Sequence, residues 1–528
     1  MKIIDIDLTP EQYHQPEQRQ QTVARALNVP DADIAGMAVV RRSIDCRRRN
    51  VMYHTTVQVR MKDEPELVAQ QPNATYRDCH AAPPVVIVGA GPAGLFAALK
   101  ALELGLKPII VERGKPVSDR KYDIAAITRQ KYVNPDSNWC FGEGGAGTYS
   151  DGKLYTRSTK RGDIGAVLRT FVAHGADPDI MLDAHAHIGT DRLSAIIASM
   201  RETIEGHGGE YHFNTRVTDL LVRDGVVYGV ATTAGNIEGR AVILATGHSA
   251  RDIYQLFHTH GWFLEAKPFA LGVRVEHPQQ LINEIQYHGR DYSTFLPPAA
   301  YSLTTQVSSS NQAIKQSRNP HGVFSFCMCP GGVIVPAATA DGQQVVNGMS
   351  NSRRNSPFAN SGIAVTVSLD DVPDKDVFAL LRFQQEVERQ TFHAAGDAIN
   401  APAQRLTDFL QRRPSASLNP SGYMGQCINS PLHELLPPFV VDALIQGFRD
   451  FDRKMRGFVT GQASLLAVES RTSSPVRIPR DKVSLQHPQL QGLFPCGEGA
   501  GYAGGIVSSA MDGIRCMEEC ARLFVSSR

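Results

Sequence analysis

The stretch PPVVIVGAGPAGLFAALKALELGLKPIIVERG, residues 83–114, decides the fold of this chain. The β-branched run at 85–89 predicts a buried strand, the alanine- and leucine-rich run at 91–104 a helix, and 107–112 a second strand. The glycines between the first strand and the helix have the spacing G-x-G-x-x-G. This order predicts a Rossmann-type βαβ unit, which binds a dinucleotide at the turn.

Each of the three positions in this motif requires glycine for a different physical reason. Gly89 allows the tight turn, Gly91 lets the backbone approach a pyrophosphate, and Gly94 lets the helix pack close to the strand. The helix N-terminus offers free N–H groups to the phosphates, and Glu112, after the second strand, is placed to accept hydrogen bonds from ribose hydroxyls. The expected cofactor contacts in this unit are Gly89, Gly91, Pro92, Ala93, Gly94, Glu112 and Arg113.

Two further stretches contain the same glycine spacing, Gly142-Gly144-Gly147 and Gly499-Gly501-Gly504. Neither stretch has both a convincing apolar strand before it and an acidic residue at the right distance after it. Only the first motif therefore predicts a dinucleotide site by itself. No second complete unit of this kind is found, and a dedicated nicotinamide-nucleotide domain is therefore not expected.

Three features distant from the βαβ unit favour FAD over NAD. Thr246-Gly247 ends a strand in AVILATGH, Val217 lies in the preceding hairpin, and Gly497-Glu498 follows a strand and precedes the last helix. These are the turns that FAD enzymes place around adenine and the ribityl chain. The sequence predicts non-covalent FAD, with further contacts from Gly144, Gly145, Lys153, Val217, Thr246, Gly247, Gly497, Glu498, Gly504, Gly505 and Ile506.

Together these segments resemble the glutathione-reductase-type FAD fold. More closely, the chain resembles a bacterial family of FAD-dependent dehydrogenases, also described as NAD(FAD)-utilising. The similarity runs through NWCFGEGGAGTYSDGKL (138–154), AHIGTDRL (186–193), ATGHSARDIY (245–254), KPFALGVRVEHPQ (267–279), FCMCPGGVIVPAA (326–338), NSPFANSGIAV (355–365) and ESRTSSPVRIPRD (469–481). It implies FAD and an oxidoreductase fold, but no substrate. Many FAD enzymes have Asp where Glu498 stands, so the contact of this longer side chain is open.

The predicted fold class is α/β: a Rossmann-type FAD-binding domain with an inserted α+β substrate domain and a small N-terminal β-α-β-β module. The expected boundaries are 1–62 for the module, 63–84 for a linker, 85–267 and 461–528 for the two parts of the FAD-binding domain, and 268–460 for the inserted domain. Length alone requires several domains, since 528 residues exceed a single ordinary core.

Composition excludes several classes of function. Lys+Arg at 54 against Asp+Glu at 53 disfavours nucleic acid as the main partner. The nine scattered cysteines indicate reduced thiols in the cytoplasm, and the N-terminus does not resemble a signal peptide. The uncharged stretch 81–99 is long enough for a membrane span, but its prolines and glycines favour a strand-turn-helix.

Three residues are candidates for catalysis. Lys153, in the glycine-rich loop 140–157, could stabilise the anionic reduced flavin or orient substrate, or it could be a solvated side chain. His248 follows the Gly247 turn and could approach cofactor or substrate. Arg274, with Glu276 and His277, alternates along a strand that we expect to have one exposed face.

Weaker candidates remain beside these. Arg251 could approach cofactor or substrate, and Arg471 and Arg477 could clamp an anionic substrate or lie on the surface. Cys327 and Cys329, two apart on a strand, should point the same way, either as a redox pair or as small buried residues. Cys516 and Cys520 are expected in the core. His174, His185 and His187 lack convincing ligand spacing, so no metal is expected.

The sequence therefore predicts an FAD-dependent oxidoreductase of a small molecule, with NAD(P)H as a transient co-substrate. The alternatives are a flavoprotein that acts on RNA or docks a partner through residues 1–62, and a storage or regulatory flavoprotein without turnover. The oligomeric state is not predicted.

Overall fold

The computed structural model describes residues 2–65, 74–156, 162–307 and 320–525. Part of the predicted linker 63–84 lies outside these residues. The strands are β1 (Lys2–Leu8), β2 (Ile34–Asp45), β3 (Met52–Met61), β4 (Pro84–Val88), β5 (Lys107–Val111), β6 (Glu210–His212), β7 (Val217–Arg223), β8 (Val226–Thr232), β9 (Gly235–Glu238), β10 (Val242–Leu244), β11 (Glu265–Ala266), β12 (Phe269–Pro278), β13 (Thr304–Val307), β14 (His321–Cys329), β15 (Val333–Pro336), β16 (Val346–Met349), β17 (Phe358–Val367), β18 (Ala401–Arg405), β19 (Cys427–Asn429), β20 (Ser464–Glu469), β21 (Val476–Arg477) and β22 (Leu493–Pro495).

The helices are α1 (Pro10–His14), α2 (Pro16–Leu27), α3 (Pro92–Leu104), α4 (Val117–Gln130), α5 (Ile164–Ala173), α6 (Thr190–Gly206), α7 (Arg251–Thr259), α8 (Gln279–Gln286), α9 (Ala379–Ala394), α10 (Leu406–Leu410), α11 (Leu432–Leu435), α12 (Pro438–Lys454) and α13 (Ile506–Val525). α11 and α12 are separate helices because Pro437 and Pro438 interrupt the chain between them. Among the described residues, none of the helices combines the length and the apolar character that crossing a bilayer requires.

A five-stranded parallel sheet of order β22-β10-β4-β5-β6 forms the centre of the molecule. β4 and β10 are almost fully buried, as expected for a parallel sheet covered on both faces. Helix α13 crosses α3 so closely that a Cβ on Gly513 would lie 2.0 Å from the Ala93 carbonyl oxygen. The carboxyl ends of these strands meet at one edge, where parallel α/β sheets bind ligands. The predicted Rossmann-type α/β fold is therefore confirmed.

The hairpin that contains Val217 turns at Asp224-Gly225 and joins β7 to β8 in a three-stranded sheet with β9. Both turn residues have positive φ, 51° and 77°, which matches the type I′ turn favoured in two-residue hairpins. The hairpin carries Val217 to the edge of the parallel sheet.

A seven-stranded sheet of order β13-β14-β17-β12-β20-β18-β19 follows, antiparallel except for the β18–β19 pair. β20 lies between β12 and β18, so the expected change of domain at 460/461 falls too early. The run SLLAVE, Ser464–Glu469, is buried at every position and apolar between its two ends, and such a run does not reveal to which of two sheets it belongs.

The N-terminal residues form a three-stranded antiparallel sheet, β1-β3-β2, covered by α1 and α2, in the predicted β-α-β-β order. Its apolar core is not separate, because buried residues such as Leu8, Val57 and Val59 belong to the same cluster as those of β12 and α12. The N-terminal sheet is thus packed onto the seven-stranded sheet.

Candidate functional site

One large cavity, of about 2520 Å³, opens at the carboxyl edge of the parallel sheet. Ordinary ligand pockets measure roughly 300–1,000 Å³, so this volume suits a dinucleotide together with a second molecule. Its walls come from the βαβ unit, the glycine-rich loop, the seven-stranded sheet and the N-terminal sheet.

The first glycine motif leaves no room for side chains. Gly89 has φ +102°, and a Cβ there would lie 2.5 Å from the Ala245 carbonyl oxygen. A Cβ on Gly94 would lie 1.9 Å from the Gly89 oxygen, whereas one on Gly91 would meet nothing closer than 3.8 Å. Gly89 and Gly94 therefore serve the turn and the helix packing, and the space above Gly91 is free for a pyrophosphate, as the motif predicts.

Glu112 binds three backbone N–H groups from three different loops. Its Oε2 accepts from Ala90 at 2.8 Å, and its Oε1 accepts from Gly114 and Gly142, each at 2.9 Å. Since a carboxylate has about four acceptor positions, one remains for the expected ribose hydroxyl. The carboxylate lines the cavity and fixes the loops that surround it.

Arg113, also predicted as a cofactor contact, has protein partners. Its guanidinium pairs with Asp136 at 3.1 Å and Asp252 at 2.7 Å, and lies 4.4 Å from the centre of the Phe141 ring. It lines the cavity beside Glu112, so it holds this wall in place.

The second glycine motif packs directly onto the first. Gly144 N–H donates to the Ala90 carbonyl at 2.8 Å, and a Cβ on Gly145 would lie 3.0 Å from the Gly91 Cα. A Cβ on Gly147 would lie 3.2 Å from the Ile506 side chain. The second motif therefore does not imitate the first, but forms the opposite side of the same cradle.

Arg120, which the sequence analysis did not identify, holds this loop. Its fully buried guanidinium donates to the carbonyl oxygens of Asn138 (2.9 Å), Trp139 (2.9 Å), Glu143 (2.8 Å) and Gly145 (2.8 Å). Burial lowers the pKa of Arg120. A single arginine in a polar helix gives no sequence signal for this role, because its partners are backbone atoms.

The C-terminal turn and the turn after β10 meet over the cavity. A Cβ on Gly499 would lie 2.6 Å from the Gly247 carbonyl oxygen. Glu498 accepts a hydrogen bond from the Gly505 N–H, beside the start of α13, and lies 3.1 Å from His248 Nδ1. Burial would raise the pKa of Glu498, but the bond to His248, the Gly505 N–H and the nearby Lys267 together outweigh it, and the pKa is lowered. The open contact of Glu498 is thus resolved as a bond to His248.

His248 lies in the cavity wall, and 12% of its side chain is exposed. Because ionised Glu498 can only accept, Nδ1 carries the proton and Nε2 carries the lone pair. Nε2 is buried and has no hydrogen-bond partner among the described residues. A buried imidazole nitrogen without a partner is a candidate proton acceptor.

The other predicted cofactor contacts surround the cavity, and their contact with a cofactor stays a prediction. The following line the cavity: Gly89, Gly91, Pro92, Ala93, Gly145, Lys153, Val217, Thr246, Gly247, Gly497, Gly504, Gly505 and Ile506. Gly94 and Gly144 support the wall from behind. A glycine cradle, an acidic side chain beside it and a helix N-terminus fit FAD, which the residues named here would hold.

Lys153 connects the glycine-rich loop to the seven-stranded sheet. Its Nζ donates to the Met328 carbonyl oxygen, while the neighbouring Asp151 pairs with Arg354 at 2.6 Å. Lys153 lines the cavity, so its ammonium is held at the wall rather than solvated.

Arg274 and its neighbours differ from the expectation of one exposed face. β12 is central in the seven-stranded sheet and buried along its length, with Arg274 at 0% exposure. Arg274 pairs with Glu469 at 2.5 Å and donates to the Cys327 carbonyl oxygen at 2.5 Å. The predicted direct role of Arg274 in catalysis is therefore wrong, and it acts at most by positioning Cys327. Glu276 and His277 are likewise buried.

Cys327 and Cys329 do not point the same way. The strand is bulged between Phe326 and Cys329, and Cys327 has φ +42°. The Cys327 side chain is exposed at the cavity, whereas Cys329 is buried. Although this side chain faces the cavity, the protein that encloses the cavity desolvates its thiol, and this raises the pKa of Cys327 to about 12. A thiol with this pKa is a poor nucleophile, since the thiolate is the reactive form. Cys516 and Cys520 are in the core as expected.

The arginines expected near substrate are held by one buried carboxylate. Glu388 of α9 pairs with Arg251 at 2.8 Å and Arg471 at 3.1 Å. Burial would raise the pKa of Glu388, but the two arginines outweigh it and lower the pKa to about 2. Arg471 still lines the cavity, while Arg477 is half-exposed and pairs with Glu265.

One group of ligand-type side chains lies away from the cavity: Cys496, Asp512 and Cys516. Arg480 pairs with Asp512 at 2.6 Å and donates to Cys516 Sγ at 3.1 Å. The Arg480 guanidinium therefore already neutralises the carboxylate of Asp512 that a metal cation would need as a ligand. His174, by contrast, bonds the Thr170 carbonyl at 2.7 Å.

Comparisons with known proteins agree with this geometry. Residues 84–120 match the FAD binding domain family, 189–298 the FAD dependent oxidoreductase family, and 268–472 the family described as FAD-dependent protein, C-terminal domain-like. Residues 1–60 match a domain of unknown function.

Relatives along the whole chain extend the match. An uncharacterised protein of Clostridium beijerinckii is 38% identical over 522 residues, which are 96% of each chain. Among solved structures, flavin-dependent brominase Bmp2 aligns at 16% identity and TM-score 0.35 over 85% of this chain and 80% of its own. CtdE in complex with FAD aligns at 13% identity and TM-score 0.31 over 84% of each. The chain is an FAD-dependent oxidoreductase and belongs to the same family as the Clostridium beijerinckii protein.

Proposed function

We propose that this enzyme moves a hydride between FAD and a small organic molecule in the part of the cavity beyond the glycine cradle. The single cavity that joins the cradle to this second space carries the proposal. We further propose that the chain is an NAD(FAD)-utilising dehydrogenase with a glutathione-reductase-type FAD domain, and that NAD(P)H acts as a transient electron donor. Action on RNA or a partner protein and a cytoplasmic location stay predictions.

FAD, when bound, supplies the hydride chemistry. The chain provides the group that exchanges the proton. When the substrate is oxidised, it loses a proton together with its hydride, and His248 Nε2 accepts this proton. Glu498, 3.1 Å from Nδ1, keeps the imidazole in the required tautomer and stabilises the imidazolium. In the direction of reduction the same nitrogen returns the proton.

Lys153 and Arg471 supply positive charge at the wall. The Lys153 ammonium is fixed on the Met328 carbonyl, and Arg471 is fixed by Glu388, Thr339 and Ser249. Charges that are already oriented stabilise a developing negative charge without reorganisation.

The test is anaerobic mixing of the purified flavoprotein with NADH and, separately, with NADPH, while the visible flavin absorbance is followed. We expect one nucleotide to bleach the flavin. His248→Gln can still donate to Glu498 but cannot accept a proton, so turnover with a reoxidising substrate should fall about 10²- to 10⁴-fold. The matched control is His258→Gln, since His258 is exposed on α7.

Two outcomes contradict the proposal. Failure of both nucleotides removes the nicotinamide donor, and turnover of His248→Gln equal to that of His258→Gln removes the proton role.

A further inference from the structure

The N-terminal sheet is attached to both halves of the molecule at fixed points. Arg42 N–H donates to the Leu182 carbonyl at 2.8 Å, and the Arg42 guanidinium pairs with Asp183 at 2.5 Å. On the other side, Tyr53 Oη donates to the Phe295 carbonyl at 3.1 Å. These bonds hold the sheet across the space between the FAD-binding half and the seven-stranded sheet.

The cavity continues into the space that the N-terminal sheet covers. On the side of the N-terminal sheet the wall is mixed: polar side chains such as Asp7, Arg42 and His54 lie beside Ile44, Met52 and the stacked rings of Tyr13 and Tyr53, whose centres are 4.1 Å apart. Phe295, Tyr301 and Phe324 line the facing side. This facing side of the cavity favours an elongated apolar body over a small polar metabolite.

Two exposed arginines lie at this end of the cavity. The turn that carries Arg48 and the turn that carries Arg456 flank one segment, since His288 Nε2 lies 2.9 Å from the Cys46 carbonyl and Gln286 donates to Met455 Sδ at 3.3 Å. Both arginines line the cavity, and in the described part of the chain neither has a hydrogen bond or an ion pair.

The acidic side chains on this part of the wall are already paired. Asp45 pairs with Arg47, Asp7 with His54, and Asp179 and Asp183 with Arg42. Two carboxylates share Arg42, but the wall also carries Arg48, Lys454 and Arg456. Five Lys and Arg side chains therefore face four carboxylates here, and this small positive excess attracts an anion.

We infer that the N-terminal sheet forms one wall of the substrate passage, and that the substrate is an amphipathic anion: an elongated apolar body with a carboxylate or phosphate at the end nearest Arg48 and Arg456. This inference rests on the proposed function, because it assigns the second part of the same cavity. The apolar body lies between the two faces of the passage and extends towards the FAD cradle.

The experiment measures displacement of anilinonaphthalene sulfonate from the FAD-loaded full chain. Dodecanoate and dodecyl phosphate distinguish the two anions, and dodecanol is the neutral control. We expect at least one anion to displace the probe at a concentration at least tenfold below that of dodecanol.

Two variants test the location. Arg48→Gln with Arg456→Gln should weaken the anions about threefold to tenfold without changing dodecanol, because two exposed charges are lost. Arg49→Gln, an exposed neighbour that does not line the cavity, is the matched control. Ser302→Trp should narrow the passage and weaken all three competitors while the flavin absorbance is kept.

Equal displacement by dodecanol and both anions, or unchanged binding in the double variant and in Ser302→Trp, overturns the inference. The flavin absorbance of each variant separates this result from failure of the proposed function. A protein that keeps FAD and is reduced by a nucleotide, yet has no preference for the anions, refutes the passage alone.

Discussion

Glu112→Gln tests how the FAD site is assembled. The carboxylate accepts from Ala90, Gly114 and Gly142, whereas the amide has only one acceptor oxygen. If that oxygen keeps Gly114 and Gly142, the NH₂ group faces the Ala90 N–H, donor against donor. Ala90 lies between the first two glycines of the cradle, so its displacement changes the surface that receives the pyrophosphate.

The expected magnitude follows from one lost bond to a buried charged acceptor, about 1.5–3 kcal/mol. Since 1.4 kcal/mol corresponds to a factor of ten, the dissociation constant of FAD should rise roughly tenfold to a hundredfold. Glu112→Ala loses all three bonds and should be worse than Glu112→Gln. Sequence reasoning, which assigns Glu112 to the ribose alone, does not predict a difference that involves the loop at Gly142.

The assay titrates FAD into deflavinated protein and follows quenching of flavin fluorescence. The matched control is Glu103→Gln on α3, whose carboxylate pairs with Lys100 at the surface. Circular dichroism confirms that each variant is folded. Wild-type affinity in Glu112→Gln, or an equal loss in Glu103→Gln, would refute the reasoning.

Three further predictions follow from the same contacts. Gly94→Ala places a Cβ 1.9 Å from the Gly89 oxygen and should lower the stability of the FAD-free protein. The Cβ of Gly91→Ala would meet nothing closer than 3.8 Å, so this variant should fold normally and lose FAD affinity. Equal thermal stability of the two variants would contradict this. The pKa of Glu388 is depressed from 4.5 to about 2 in the folded protein, so its contribution of about 3 kcal/mol to the free energy of unfolding is present above pH 4.5 and is lost as the pH falls towards 2. In urea unfolding, Glu388→Gln should therefore be less stable than Glu386→Gln at neutral pH, and its stability should depend less on acid. Parallel pH profiles of the two variants would argue against this. Because the bulge separates Cys327 from Cys329, an anaerobic dithionite titration should take up two electrons per flavin, and uptake of four would indicate a redox-active pair.

The sequence predicts the parts of the molecule in which local pattern and structure coincide. The βαβ unit, the Asp224-Gly225 hairpin and the Gly497-Glu498 turn each have a strand, a turn and a helix or second strand with distinct periodicities. Their positions follow from rules that act over a few residues.

The remainder depends on contacts between distant segments. The bond from Gly142 to Glu112 spans 30 residues, and the burial of Arg274 follows from the central place of β12 between β17 and β20. A strand with alternating charges looks half-exposed unless its neighbours are known. The bulge at Cys327 is also unpredictable, because the run GVFSFCMC contains no glycine or proline at the bulge.

Arg120 explains why a glycine-rich loop can be a precise wall for FAD. Glycines permit many conformations, and fixing them costs more backbone entropy than fixing other residues. Five carbonyl oxygens between residues 138 and 145 converge on one buried guanidinium, which among the described residues has no ion pair with a carboxylate. Much of the entropy cost is therefore met during folding, because a buried cation without those carbonyls would be strongly unfavourable. A loop that is already ordered binds its ligand more tightly, so the affinity for FAD depends on a residue that never lines the cavity.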